Sequence, residues 1–280
     1  MTRVFGPESL TWRVHTDPMM FVAGVRSLYL QSLLPRAMWG VAQNSNYRED
    51  TWGRFMRTVD YVVTTTFGTE EEAERAAARV RKVHGMLRAT DRVTGEEYGI
   101  DRPELLLWIH CAEIESYLSV TRRSGMVISD LEADAYVREQ RAAARLIGLD
   151  PAGVPGSVRD LAEYFTAMRP HLRCTPEARD AARFLLMPTL PRWLVPALPP
   201  YAGVSALAFA AQPRWARQLF GIPTPYGTEA ATTTALRAMR RTVGRIPPVW
   251  VRPTVKEARR EMRQAARRSR VIRRLGAAAA

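Results

Sequence analysis

The chain has 280 residues, 46% of them hydrophobic and 25% charged, with a formal net charge of +13. That length and apolar content support one large core or two small ones and exclude a disordered or fibrous chain. Its two cysteines, Cys111 and Cys174, are widely separated, which excludes a disulfide framework and a zinc ribbon and fits a reducing, cytoplasmic setting.

From the start, Met1 to Val14 has no long apolar run and carries Glu8 and two arginines, so no signal peptide is expected. Met19 to Leu34 reads as an apolar helix stopped by Pro35. Trp52 to Phe67 reads as a helix or extended run closed by Gly68; within it, Tyr61 to Thr66 is the chain's one β-rich stretch. Thr69, followed by three glutamates, caps the next helix, which runs past His84. Further helices start at Asp101-Arg102-Pro103-Glu104, Asp130, Ser157 and Thr175.

Pro188 to Pro200 is proline-rich and irregular. Helices resume over Val204 to Phe220 and Thr228 to Arg241, and a basic helix follows Pro253. The expected fold is all-α, with roughly ten helices: a helical domain over 1–251 and a basic C-terminal helix or tail over 252–280.

Trp193 to Ala211 is the most apolar later stretch. Pro196, Pro199 and Pro200 make it a poor membrane span, but Trp193, Leu194 and Leu198 suit peripheral contact with a membrane. Between Arg252 and Arg274, ten basic residues face only Glu257 and Glu261. Such a tail suits anionic lipid or nucleic acid. Nucleic acid is disfavoured, because no aromatic interleaving or helix-turn-helix accompanies it. A solvated helix explains the same charge: only Lys82 and Lys256 are lysines among 41 basic residues.

Three features point to chemistry. Ala73, Ala76, Ala77, Val80, His84 and Leu87 recur at helical spacing, which directs the His84 imidazole toward the interior. A buried ring nitrogen without a partner costs about 1–3 kcal/mol, so a carbonyl, carboxylate, water or metal must meet it. Arg54, Arg57 and Thr58 share a face of a largely apolar segment, where a partly buried cation needs a counter-anion. Asp50 and Asp60 could supply it, as could an anionic cofactor such as a porphyrin with two propionates. His110 lies on a third apolar helix face, in Leu107-Trp108-Ile109-His110-Cys111, either as a pocket group or as a core histidine bonded to backbone.

Several segments together resemble the MpaB-type oxygenase family, which is distantly similar to the latex-clearing protein, a rubber oxygenase. They are Trp12-Arg13-Val14-His15 with Asp17-Pro18; Gln31 to Met38; Trp52-Gly53-Arg54 with Arg57-Thr58; Phe67-Gly68-Thr69; Arg79-Val80 with His84; Leu105 to His110; and Trp215-Ala216-Arg217. They run in order from Trp12 to about Pro247, without the basic tail. The resemblance implies a helical fold and, through the latex-clearing relatives, a b-type haem (haem b). It implies His84 as the proximal iron ligand, with Arg54 and Thr58 on the oxygen-binding side. The intervening basic residue, a lysine in rubber-cleaving enzymes, is Arg57 here. A guanidinium cannot coordinate iron but can pair with a propionate. Asn44 departs from the histidine that many relatives have before the serine.

The expected function is haem-dependent oxygenation of a hydrophobic small molecule with dioxygen. His84, Arg54, Arg57 and His110 are the candidate cofactor contacts, and Arg54 and Thr58 the candidate catalytic groups. Two other readings stand beside it: a non-haem iron oxygenase using histidines with Glu113 or Glu115, and a non-catalytic helical protein with a basic docking tail.

Overall fold

The computed structural model describes residues 2–45, 48–243 and 253–278, with side chains to 268 in the last stretch. Among these are thirteen α-helices and a single two-stranded sheet. The domain boundary expected at 251/252 and Pro247 lie outside the described residues, as do the side chains of Arg270, Arg273 and Arg274.

The centre is the pair α2 (Met20–Gln31) and α6 (Pro103–Arg123). Each is apolar on most of its circumference, so each is wrapped by neighbours. Val22, Val25, Tyr29 and Leu30 from α2 meet Trp108, Ile114 and Leu118 from α6 in one core. A buried ion pair crosses this interface. Arg26, 1% exposed, donates to Glu115 at 2.5 Å and to Ser116 Oγ at 2.6 Å. The Trp108 indole also donates to the Gln31 carbonyl at 3.0 Å.

Two helices on either side complete the frame. Helix α7 (Asp130–Leu146) starts in a capping box between Ser129 and Glu132. It receives the short α1 (Leu10–His15), where Glu139 accepts from the Leu10 and Thr11 amides. Helix α10 (Leu198–Ala210) lies on α2, pinned by Tyr29 Oη and Ser205 Oγ at 2.8 Å. Its prolines sit in the first turn, where no amide is needed, so the helix begins earlier than the proline content suggests. Pro213 separates it from α11 (Arg214–Leu219), and α12 (Thr228–Val243) packs behind it.

A second helical hairpin joins α4 (Thr51–Phe67) to α5 (Glu70–Met86). The β-rich run Tyr61 to Thr66 is helical within α4. Asp50 caps the helix by accepting from Gly53 N at 3.0 Å, and the Thr65 hydroxyl folds back to the Tyr61 carbonyl at 2.9 Å. Local propensity thus yields to a capped amphipathic helix. The strands lie instead at β1 (Arg88–Thr90) and β2 (Glu97–Gly99), antiparallel with Ala89 opposite Tyr98. Their turn needs Gly95 at φ +76°.

The basic helix α13 (Pro253–Ala278) packs its first half on the N-terminal segment. Ala258 is buried with Phe5, Trp12 and Phe67, and Arg3 pairs with Glu261 at 2.5 Å.

Candidate functional site

Helix α5 sinks into the protein at its start and emerges at its end. Ala73 and Ala77 are buried against Leu146 of α7, whereas Val80, His84 and Leu87 are half-buried, and Val83 and Met86 beside them are exposed. The expectation of a core-buried His84 is therefore corrected: α7 covers only the first turns of the stripe. Burial, reinforced by the Arg54 cation and opposed by the Asp101 carboxylate, lowers the His84 pKa below that of an ordinary histidine. Among the described residues nothing hydrogen-bonds the ring.

Helix α4 carries Arg54, Phe55, Thr58, Tyr61 and Val62 on one face. Arg54 and Thr58 are exposed, not interior. Arg54 donates to Ser45 Oγ at the end of α3 (Pro35–Asn44), and its charge is felt at His84. Thr58 Oγ1 donates to the Arg54 carbonyl at 3.1 Å, which leaves its oxygen free to accept. Arg57 is exposed and binds Asp50 at 2.9 Å, holding that carboxyl below the usual range. The buried arginine pair expected here is thus two exposed guanidiniums: the elements that touch the start of α4 reach Trp52 and Phe55 and leave Arg54 and Arg57 toward solvent.

An aromatic wall continues this face. Phe21 of α2 meets Phe55 of α4 at 5.9 Å and Tyr201 of α10 at 6.1 Å, while Trp52 meets Trp193 at 5.9 Å. Phe21, Leu28, Trp52, Phe55 and Trp193 are all exposed. Exposed aromatics drawn from three elements form an apolar surface with a cationic edge at Arg54.

His110 is buried, as its helix face predicts. Its Nε2 has no hydrogen-bond partner, and burial pushes its pKa down to about 4. No contact joins it to His84 among the described residues. Glu113, one turn further along α6, is bonded by Gln31, and burial raises its carboxyl to about 7.

Other residues that carried the resemblance are structural. The Trp12 indole donates to the Thr66 carbonyl at 3.0 Å. His15 Nδ1 meets Thr66 Oγ1 at 3.0 Å and its Nε2 meets Tyr136 Oη at 3.3 Å. Arg217, 2% exposed, donates to the Ala210 and Gln212 carbonyls. Asn44 donates to the Gly40 and Arg88 carbonyls, bracing α3 against β1.

A model of the catalytic domain of the ER-bound oxygenase mpaB/B′ and rubber oxygenases matches residues 12–245. The chain belongs to this oxygenase family. No curated protein and no solved structure gives a significant match. Within the oxygenase fold, the described residues hold no group of three or more His, Cys, Asp or Glu that suits a metal. Glu115, one of the carboxylates considered for a non-haem centre, is committed to Arg26. A separate cavity of about 450 Å³, lined by Leu34, Trp39, Met168 and His171 among others, contains none of the candidate residues.

Sequence reasoning did not find Phe21 or Tyr201. The signal was present for α2: Phe21 and Leu28 sit seven residues apart, on a stripe that flanks the buried Val22, Val25 and Tyr29.

Proposed function

We propose that this protein is a b-type haem oxygenase that uses dioxygen on an apolar small molecule. The observation that carries the reading is His84: a half-buried imidazole with no hydrogen bond among the described residues, close enough to Arg54 of α4 to feel its charge, on a helix paired with the one that carries the exposed Trp52 and Phe55. This set fits the group. A haem needs an axial nitrogen, cationic partners for its carboxylates and flat apolar surfaces, and this face offers all three. His84 would hold the iron. Arg54 and Thr58 would serve the oxygen-binding side. Arg57 would reach a propionate by exchanging its Asp50 partner, and His110, with its buried unpaired Nε2, would be a further polar contact.

When bound, the haem supplies the activation of dioxygen. The chain's own residues orient and shield. Arg54 would present N–H donors where negative charge develops, Thr58 would add a hydroxyl one turn away, and the aromatic wall would give an apolar substrate a surface to pack on.

An anionic lipid surface fits as the source of such a substrate. Met187, Trp193 and Val195 are 58%, 69% and 50% exposed, and Trp193 touches Trp52 of the aromatic wall. Between Asp180 and Glu229 the sequence has no acid, and its arginines besides the buried Arg217 are Arg183, Arg192 and Arg214. Exposed Trp with flanking cations is the pattern of interfacial binding.

A pyridine haemochrome assay on protein expressed with ample haem precursor tests the proposal. One protohaem per chain is expected. Haem-free protein with iron bound directly by side chains would favour a non-haem centre instead.

A further inference from the structure

The cavity of about 450 Å³ is assembled from four parts of the chain: the start of α3, the turn between β1 and β2, the start of α6 and the segment after α8 (Val158–Met168). Its floor is apolar. Leu34, Trp39 and Leu105 are buried there, and Met168 is half-buried. Val93 and Thr94 edge it, held by donation of their amides to Asp91 at 2.9 and 3.1 Å. None of the residues assigned to haem or dioxygen lines it.

Most polar groups around this floor are already committed. Arg36 donates from Nε to Asp91 at 2.8 Å and from Nη2 to Glu96 at 2.5 Å. Asp91 thereby accepts three donors. The Trp39 indole donates to Glu177 at 3.1 Å. Arg169, next to the lining residue Pro170, lies over the Trp215 ring at 5.6 Å. Glu104 is exposed and 3.9 Å from Arg102.

Arg173 is different. Leu172, between His171 and Arg173, has extended backbone (φ −95°, ψ 138°) and is buried in the core. Successive side chains of an extended segment point to opposite sides, so His171 and Arg173 leave together on the side away from Leu172, and both line the cavity. The Arg173 amide donates to the Leu33 carbonyl at 2.9 Å, which fixes the segment beside the end of α2. The Arg173 guanidinium has no hydrogen bond or ion pair among the described residues.

We propose that this cavity is a second ligand site, for an amphipathic carboxylate. The hydrocarbon body would rest on Leu34, Leu105 and Met168. The carboxylate would take two N–H bonds from Arg173 and one from the His171 ring at the mouth. The volume lies within the range of about 300–1,000 Å³ usual for small-molecule pockets. Charge complementarity selects the headgroup: Arg173 is the cation of the lining that no protein group neutralises, and the Glu104 carboxylate has water and Arg102 to answer it. The proposal goes beyond the oxygenase reading and does not depend on it.

Three probes with one skeleton test it by isothermal titration calorimetry on the full chain at neutral pH: phenylbutyrate, phenylbutanol and phenylbutylammonium. Wild type should bind the carboxylate about tenfold more tightly than the alcohol, as one charge-assisted pair implies, and the ammonium most weakly. Arg173→Gln should bring the carboxylate to the affinity of the alcohol and leave the alcohol unchanged. Met168→Trp, which fills the floor, should weaken both. Arg54→Ala should bind all three as wild type does.

No binding, or equal binding of carboxylate and alcohol by wild type, overturns the proposal, as does a carboxylate preference that survives in Arg173→Gln. Tightest binding of the ammonium would assign the site to Glu104 and overturn it too. A preference lost in Arg54→Ala would place the carboxylate on the aromatic face instead. Should Met168→Trp not fold, the exposed Arg173→Gln decides alone. Haem content does not enter the readout, so failure of the His84 reading and failure of this site are distinguishable.

Discussion

Arg54 and Thr58 are one helical turn apart, and the Arg54 charge reaches His84 across the gap between α4 and α5. Arg54→Ala removes the donors on the oxygen side and leaves the imidazole in place. It should retain haem and lose about a hundredfold in oxygen-dependent turnover, measured as oxygen uptake with substrate. His110 supplies a pH prediction. Its pKa is about 4 in the fold, against an ordinary value of 6.5. The stability it contributes is fully present above pH 6.5 and is lost as pH falls toward 4. Thermal melts over that window should fall less steeply for His110→Phe than for wild type. Glu113 has the opposite sign: its raised pKa stabilises the fold below about pH 4.5, and that contribution is lost as pH rises through 7.

At the scale of elements, α2 and α6 depend on Arg26 and Glu115. The arginine is 1% exposed, so deleting its partner strands a charge in the core. Glu115→Ala should cost about 3 kcal/mol in urea unfolding, near the lower end for a broken buried pair because Glu115 is a quarter exposed. The starts of the helices were legible in the sequence. Thr69 with Glu72 and Ser157 with Asp160 cap where their residue types predict. The all-α class followed from the same periodicities. What periodicity cannot show is whether another element covers a face. The Arg54 face of α4 and the His84 end of α5 look like core in sequence, yet the hairpin packs mainly through other surfaces. For the same reason Glu113 and Glu115, equivalent in sequence, part company only when Arg26 is placed. The strands β1 and β2 were missed because three residues each are too short to show alternation.

At the scale of the whole molecule, the aromatic wall and the acid-free stretch adjoin one another through the Trp52–Trp193 contact. Trp193→Glu should reduce co-sedimentation with phosphatidylglycerol vesicles and leave the weak binding to phosphatidylcholine unchanged. Equal binding by wild type and variant would detach this surface from lipid. The central claim is that His84 holds a haem. The most direct test is the absorption spectrum of His84→Gly beside wild type, with and without added imidazole. Wild type should show a Soret band, the variant should lose it or shift it, and imidazole should restore it. A wild-type band left unchanged by His84→Gly would place the iron ligand elsewhere and contradict the account.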